Sequence, residues 1–334
     1  MKSPLRLGIV GAGLIWRKTH RNIIEKMKEQ FTIAGFCVTS EESWEWIATE
    51  HPCVKIHSDY REMAASEDID AMVILTPIGL NAEVALAGLN ADKDVFVEKP
   101  LASSSAQAEE VLQAADRMQR QVFVLENAFY DPKMEVARMA LDDKAIGQIV
   151  MYDQLFHGFI DDDQHDAGGY GRTQWRKEAK FPLGTLFDGG IHTVATNSKL
   201  FGNPVSVFAA GTKFRGGFGD YDEVSMLFSY PANGFNGYYS HAGYLCPKRN
   251  YFQIRGTEGI MTFDRAGVVI EKNDGSSTTL PAREVSSHVS MWRKMVDVIA
   301  HGSPVPYDAR QAAFDVRVLE AVEKSIKTGT FVRI

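Results

Sequence analysis

The chain has 334 residues, with 36 lysines and arginines against 43 aspartates and glutamates and a formal net charge of -7. This length accommodates about two domains, and the acidic balance argues against a general affinity for nucleic acid or an anionic membrane, both of which need basic patches. Three cysteines, Cys37, Cys53 and Cys246, are odd in number and far apart. They frame neither a disulfide scaffold nor a zinc site, so a reducing, cytoplasmic setting is expected. The longest apolar stretch, around Met72–Leu75, is far too short to span a bilayer. The N-terminal segment reads as a strand and turn rather than a secretory leader, because Gly8, Gly11 and Gly13 interrupt it and Arg17 and Lys18 follow.

In chain order, Leu5–Val10 is an apolar run ending in glycine, the pattern of a parallel strand covered on both faces. A helix is predicted from about Leu14 to Lys28, a strand at Phe31–Val38, and a helix at Ser43–Glu50 capped by Ser40 or Ser43. Then come a strand at Ala71–Leu75, a helix at Asn81–Leu89, a strand at Val95–Val97, an amphipathic helix at Ser103–Arg120 and a strand at Val122–Leu125. This alternation predicts a doubly wound α/β domain over residues 1–126.

The pattern changes after Asn127. A helix at Pro132–Leu141 leads to a long strand, Gln148–His157, and then to a Gly- and Asp-rich loop. A helix is predicted at Leu183–Phe201, followed by close strands at Ser206–Phe214, Asp222–Tyr230, Phe235–Ser240, Tyr251–Arg255, Gly259–Phe263 and Val268–Glu271. Helices at Ser287–Ala300 and Asp308–Thr328 close the chain. Residues 127–334 therefore read as an α+β domain with a large open, mostly antiparallel sheet.

The first strand runs into Gly-Ala-Gly-Leu-Ile-Trp, where Gly11 and Gly13 match the first two glycines of a dinucleotide fingerprint. The first permits a tight turn, and the second lets backbone N–H groups approach a pyrophosphate at the positive end of a helix. Trp16 holds the third position, so the indole must be met by a shifted helix or an outward rotamer. A bare turn is the rival reading, but the strand–turn–helix context favours NAD or NADP. At the end of the second strand, where NAD enzymes place an acid against the ribose, stand Thr39, Ser40 and then Glu41. No arginine is close in sequence to hold a 2′-phosphate, and the choice between NAD and NADP stays open.

With this turn, the segments VFVEKPLA (Val95–Ala102) and GTLFDGGIHTVATNSKLFG (Gly184–Gly202), Thr76–Pro77, Trp175–Arg176 and the closing SIKTGTFVRI, the chain resembles the glucose–fructose oxidoreductase / inositol dehydrogenase / MocA family over essentially its whole length. The resemblance implies a two-domain NAD(P)-dependent oxidoreductase acting on sugars, polyols and related alcohols. It places Lys99, Asp188 and His192 where substrate meets nicotinamide. Gly11, Gly13, Leu14, Ile15, Thr39, Ser40, Thr76, Pro77, Asn81, Glu98 and Lys99 are then expected along the dinucleotide, and Asn127, Trp175, Arg176, Asp188 and His192 around the substrate. Three positions depart from the family pattern: Trp16 replaces a small residue, Asn81 a histidine, and Ala195 a second aspartate.

These residue types suit hydride chemistry. As hydride leaves an alcohol carbon, the oxygen needs a cation or donor and its proton needs a base. Lys99 serves the first need and His192 the second. Asp188, four residues before His192, would share its helix face and bind substrate or orient the imidazole. Rival structural readings stand beside these: Lys99 as a surface lysine paired with Glu98, His192 as a satisfied core histidine, Asp188 as a helix N-cap, and Arg176 as a salt-bridge partner. A cis Lys99–Pro100 bond is open to an X–Pro step. Asn127, Tyr130 and His157 read equally as packing or as substrate contacts. Asp161–Asp163 with His165 resemble a metal cluster only superficially, and no metal is expected.

Two further functions compete with a dehydrogenase: a non-catalytic NAD(P)-binding regulator, and a redox-neutral elimination or hydrolysis that keeps its cofactor. An open sheet leaves one face bare, with Val224, Met226, Phe228, Tyr238 and Phe252 expected on it, so a homodimer or homotetramer is expected.

Overall fold

The computed structural model describes residues 4–158, 169–243, 245 and 247–334, and the chain divides into two compact units. Asp161–Asp163, His165 and Cys246 lie outside the described residues. The first unit comprises residues 1–126 and 291–316, the second 127–290 and 317–334. The pattern of elements assigns everything after residue 126 to a second domain, whereas residues 291–316 belong with the first unit. Packing explains their place there. Trp292 is fully buried, stacks on Phe96 at 5.3 Å between ring centroids, and meets the edge of Phe31 at 5.4 Å. Truncating a core tryptophan of this kind costs about 3–5 kcal/mol, enough to hold a helix to a sheet remote from it in sequence.

The first unit holds a six-stranded sheet of β1 (Leu5–Val10), β2 (Phe31–Cys37), β3 (Lys55–His57), β4 (Ala71–Ile74), β5 (Asp94–Glu98) and β6 (Val122–Leu125). Their order is β3-β2-β1-β4-β5-β6 and every pairing is parallel, the doubly wound arrangement expected. Every residue of β4 and β6 is buried, because helices cover both faces and leave no position for a polar alternation. The short strand β3 and the helix Tyr60–Ala64 carry too few apolar residues to stand out in the sequence.

The helix after the glycine turn is irregular. Residues 14 and 15 are helical, Trp16–His20 form a π-helical turn, Arg21–Ile24 an α-helix and Glu25–Met27 a 3₁₀ turn. Of the two ways to accept Trp16, the molecule uses the shifted helix: the indole is fully buried, edge-on to Phe36 at 5.4 Å. A π turn widens the helix by one residue per turn and frequently marks a functional segment.

The second unit holds a nine-stranded sheet built from β7 (Ile149–His157), β8 (Ser206–Thr212), β9 (Glu223–Tyr230), β10 (Phe235–Ala242), β11 (Arg249–Gly256), β12 (Gly259–Phe263), β13 (Gly267–Lys272), β14 (Ser277–Pro281) and β15 (Val332–Arg333). The order is β14-β13-β12-β11-β7-β10-β9-β8-β15, antiparallel throughout except for β7 beside β10. The helix Ile191–Phe201 packs on its inner face, where Phe201 stacks on Tyr152 at 4.5 Å and Asn197 donates to the Tyr152 hydroxyl.

The expected face assignment needs correction. Val224, Met226 and Phe228 alternate inward and are buried, and Phe252 packs inward against Tyr152 and Phe201. The open face instead carries Phe208, Leu227, Tyr238, Met151 and Tyr251. The period of two in a strand separates the sets, and hydrophobicity alone does not say which parity faces the helices. Among the described residues no helix is long and apolar enough to cross a membrane.

Candidate active site

In the first unit the glycine turn leaves β1 at Gly11, whose φ is +93° and whose missing Cβ would meet the Leu75 carbonyl oxygen at 2.7 Å. Only glycine fits there. Gly13 differs: a Cβ built on it meets nothing within 4 Å, so no protein atom requires glycine at that point. Space kept over the start of a helix, with backbone N–H groups beneath it, is what a dinucleotide pyrophosphate needs. Leu14 and Ile15 form the first helical residues at this turn.

Thr39 and Ser40 are exposed after β2, and Ser40 caps the helix Glu41–Glu50, accepting from the Ser43 N–H. Folding supplies here a cation that sequence proximity did not. Arg17 donates to the Ala12 carbonyl at 2.8 Å and to Glu42 at 2.9 Å, lies 3.5 Å from Ser43 Oγ, and stacks over Trp46.

The strand β5 ends in Glu98-Lys99-Pro100, and the Lys99–Pro100 peptide is cis. Around it the main chain is clamped. The Asn81 amide donates both to the Glu98 carbonyl at 2.9 Å and to the Pro100 carbonyl at 2.8 Å, while its oxygen accepts from Thr76 at 2.8 Å. Asn81 is fully buried with its polar atoms engaged, and it braces the carbonyls of the residues on either side of Lys99. Glu98 likewise turns inward. Its carboxylate is buried, accepting from the Lys99 N–H at 3.1 Å and meeting His20 Nε2 at 2.8 Å. Pro77, exposed, opens the helix Ile78–Asn90 beside them.

In the second unit the predicted helix over 183–201 begins instead with a π turn, Leu186–Gly190, before the α-helix Ile191–Phe201. Asp188 lies inside the π turn and is not its N-cap. Its carboxylate takes the Arg176 guanidinium at 2.6 Å, with side chains only 10% and 16% exposed respectively. Arg176 in turn lies 3.9 Å over the Trp175 ring and donates to Thr173. Arg176 thus makes the salt bridge that is one of its two expected roles, with the Trp175 ring stacked against it. His192 stands on the first turn of the α-helix, half-buried. Asn127 donates to Ser287, Tyr130 is buried, and His157 hydrogen-bonds Ser240 on the open face of the sheet.

His241 on β10 escaped the sequence reading, since one histidine in a strand carries no motif. It is buried on the inner face, stacked on Phe156 at 5.4 Å and hydrogen-bonded to the Tyr239 hydroxyl at 2.9 Å. Burial pushes its pKa down to about 3; nearby His157 acts in the same direction, and the Thr185 backbone and Asp188 oppose it. The imidazole is therefore neutral in the fold. Among the described residues, no group of three His, Cys, Asp or Glu side chains is placed to hold a metal.

Comparison with known proteins agrees with both units. Residues 5–126 match the family model described as "Oxidoreductase family, NAD-binding Rossmann fold", and residues 134–262 match that of the "GFO/IDH/MocA C-terminal domain". The NADP(+)-dependent scyllo-inositol 2-dehydrogenase IolW of Bacillus subtilis is 22% identical over 97% of this chain and 94% of its own. An uncharacterized protein of Saccharomyces cerevisiae, YMR315W, is 27% identical over 78% and 74%. Among solved structures, an oxidoreductase of Thermotoga maritima superimposes with a TM-score of 0.89 at 24% identity, covering 99% of this chain and 98% of that one. A levoglucosan dehydrogenase in complex with NADH and levoglucosan superimposes with a TM-score of 0.86 at 20% identity, covering 99% and 100%.

Two predictions follow from the second unit's geometry. Arg176→Met leaves the Asp188 carboxylate buried without its cation and is expected to cost about 3–5 kcal/mol; adding Asp188→Leu recovers much of that loss, as read from urea unfolding midpoints of the single and double variants. His241 is neutral in the fold to about pH 3 but charged in the unfolded chain below its ordinary 6.5. Across that window the unfolded chain binds more protons, so stability falls as pH falls. His241→Gln is expected to flatten the dependence of the urea midpoint on pH between 6.5 and 3; an unchanged slope refutes the assignment.

Proposed function

The chain belongs to the GFO/IDH/MocA family of oxidoreductases, with an NAD-binding Rossmann fold, and from that premise we propose that it moves a hydride between a nicotinamide and the secondary alcohol or carbonyl carbon of a sugar, polyol or similar small polar compound. The observation that carries this reading is the clamped Glu98-Lys99-Pro100 segment, placed at the carboxyl end of a parallel strand, where doubly wound sheets bind their ligands. The named relatives favour the substrate class: one acts on scyllo-inositol, and one was crystallised with levoglucosan.

When bound, the dinucleotide supplies the hydride acceptor or donor. The residues that fit it are Gly11, Gly13, Leu14 and Ile15 at the turn, Thr39 and Ser40 after β2, Thr76 and Pro77 after β4, and Lys99. Arg17 beside Ser43 would favour a ribose 2′-phosphate, and Glu42 opposes it, so both dinucleotides belong in the test. Lys99 stabilises the substrate oxygen as charge develops on it. His192 exchanges the hydroxyl proton through an imidazole nitrogen. Asp188, held by Arg176, anchors the π turn that leads into the helix bearing His192. Trp175 and Asn127 contact the substrate in this reading.

Lys99→Met is expected to lower kcat/KM by about 10²–10⁴-fold, followed by NAD(P)H absorbance on a panel of sugars and polyols, with dinucleotide affinity by calorimetry falling far less. Wild-type protein that binds neither dinucleotide, or a Lys99→Met variant as fast as wild type, would end the proposal. We further propose that the open sheet face bearing Phe208, Leu227, Tyr238, Met151 and Tyr251 pairs with a second copy of the chain, as a dimer or tetramer. Light scattering at micromolar concentration is expected to give at least twice the monomer mass; a monodisperse monomer rules this out.

A further inference from the structure

We infer that Trp292 and His20 are positioning residues for Lys99, forming a buried relay of hydrogen bonds that runs Trp292 → His20 → Glu98 → the Lys99 main chain. Its catalytic part rests on the proposed hydride transfer; its geometry does not.

The direction of the relay follows from donor chemistry. Trp292 Nε1 lies 3.0 Å from His20 Nδ1, and Trp292 and His20 are fully buried. An indole N–H only donates. His20 Nδ1 must therefore accept, which places the imidazole hydrogen on Nε2, 2.8 Å from Glu98 Oε1. The second oxygen, Oε2, accepts from the Lys99 N–H at 3.1 Å. Trp292 thus selects one neutral tautomer, and that tautomer offers Glu98 a donor rather than a lone pair. The flipped tautomer would point a lone pair at the carboxylate and an N–H at the indole, breaking both links. The Asn81 amide grips the carbonyls of Glu98 and Pro100, so the main chain about Lys99 is held on its N–H side by this relay and on its carbonyl sides by Asn81.

Three remote segments meet here. His20 ends the π turn that Trp16 opens, Glu98 ends β5, and Trp292 enters from the helix Ser287–His301. Packing alone would be served by any apolar side chain at position 20, buried between Trp292 and the end of β5. A buried imidazole hydrogen-bonded on both sides orients its partners, and misplacing a reacting group by about 1 Å can cost about 100-fold in rate.

The test compares His20→Leu, His20→Gln and Trp292→Phe. Glutamine offers an amide oxygen to the indole and an N–H to Glu98, so His20→Gln should keep kcat near wild type. His20→Leu should lose about 100-fold in kcat with KM and dinucleotide affinity little changed. Trp292→Phe, which keeps the ring stack and removes the donor, should fall between them. Two readouts stand apart from turnover. Nitrogen-15 NMR of labelled histidine should show His20 protonated at Nε2 in wild type and a mixture of tautomers in Trp292→Phe. Hydrogen exchange at the Lys99 amide should quicken by about tenfold in His20→Leu and not in His20→Gln. A His20→Gln variant as slow as His20→Leu, or a wild-type His20 protonated at Nδ1, overturns the relay. Absence of wild-type turnover on every substrate overturns the hydride-transfer reading instead, and NMR and exchange still decide whether the relay exists.

Discussion

A carboxylate buried at the end of a strand must be met by donors, and in this protein that requirement falls on Glu98. Its neighbours answer it from three directions: the following backbone N–H, the His20 imidazole, and through it the Trp292 indole. Each donor also does structural work on its own segment. Trp292 ties residues 291–316 to the parallel sheet through Phe96 and Phe31. His20 closes the irregular helix that begins at the glycine turn. The residue that gains from all of this is Lys99, whose neighbouring peptides are braced by Asn81 as well. Buried polar groups are costly when unmet and directional when met, which is how one acidic side chain organises the end of a strand.

The second unit meets the same demand with charge. Asp188 sits in a π turn at the head of a buried helix and is neutralised by Arg176, itself backed by the Trp175 ring. Breaking such a pair costs more than the pair contributes, because the surviving charge stays buried. The neighbouring imidazole, His241, follows the opposite course and stays neutral. In this unit the Asp188 carboxylate is thus kept beside a cation, while the His241 imidazole carries no charge.

Each unit carries a helix that widens into a π turn. Trp16 stands where a small residue would let a helix lie against its strand, and the helix there widens into a π turn, burying the indole against Phe36. At Leu186–Gly190, two glycines accompany a second π turn that carries Asp188. Neither was legible as such in the sequence, since hydrophobic period distinguishes helix from strand but not one helical winding from another. Strand parity in the second sheet failed for a related reason. Alternation marks two faces, and only the helices packed on the sheet decide which of them is covered.

What the amino-acid order determined by itself was everything carried by local pattern. Buried parallel strands read as unbroken apolar runs, the turn after β1 as glycines, and the motifs at Glu98-Lys99-Pro100 and Asp188–His192 as family features, because each is written within a few consecutive residues. What only tertiary structure decided was which distant side chains answer buried polar groups: Trp292 for His20, Asn81 for the Glu98 and Pro100 carbonyls, Arg176 for Asp188, and Arg17 beside Ser43. Those partnerships leave no local trace, since a hydrogen bond requires only that two atoms come within about 3 Å, however far apart the chain has carried them.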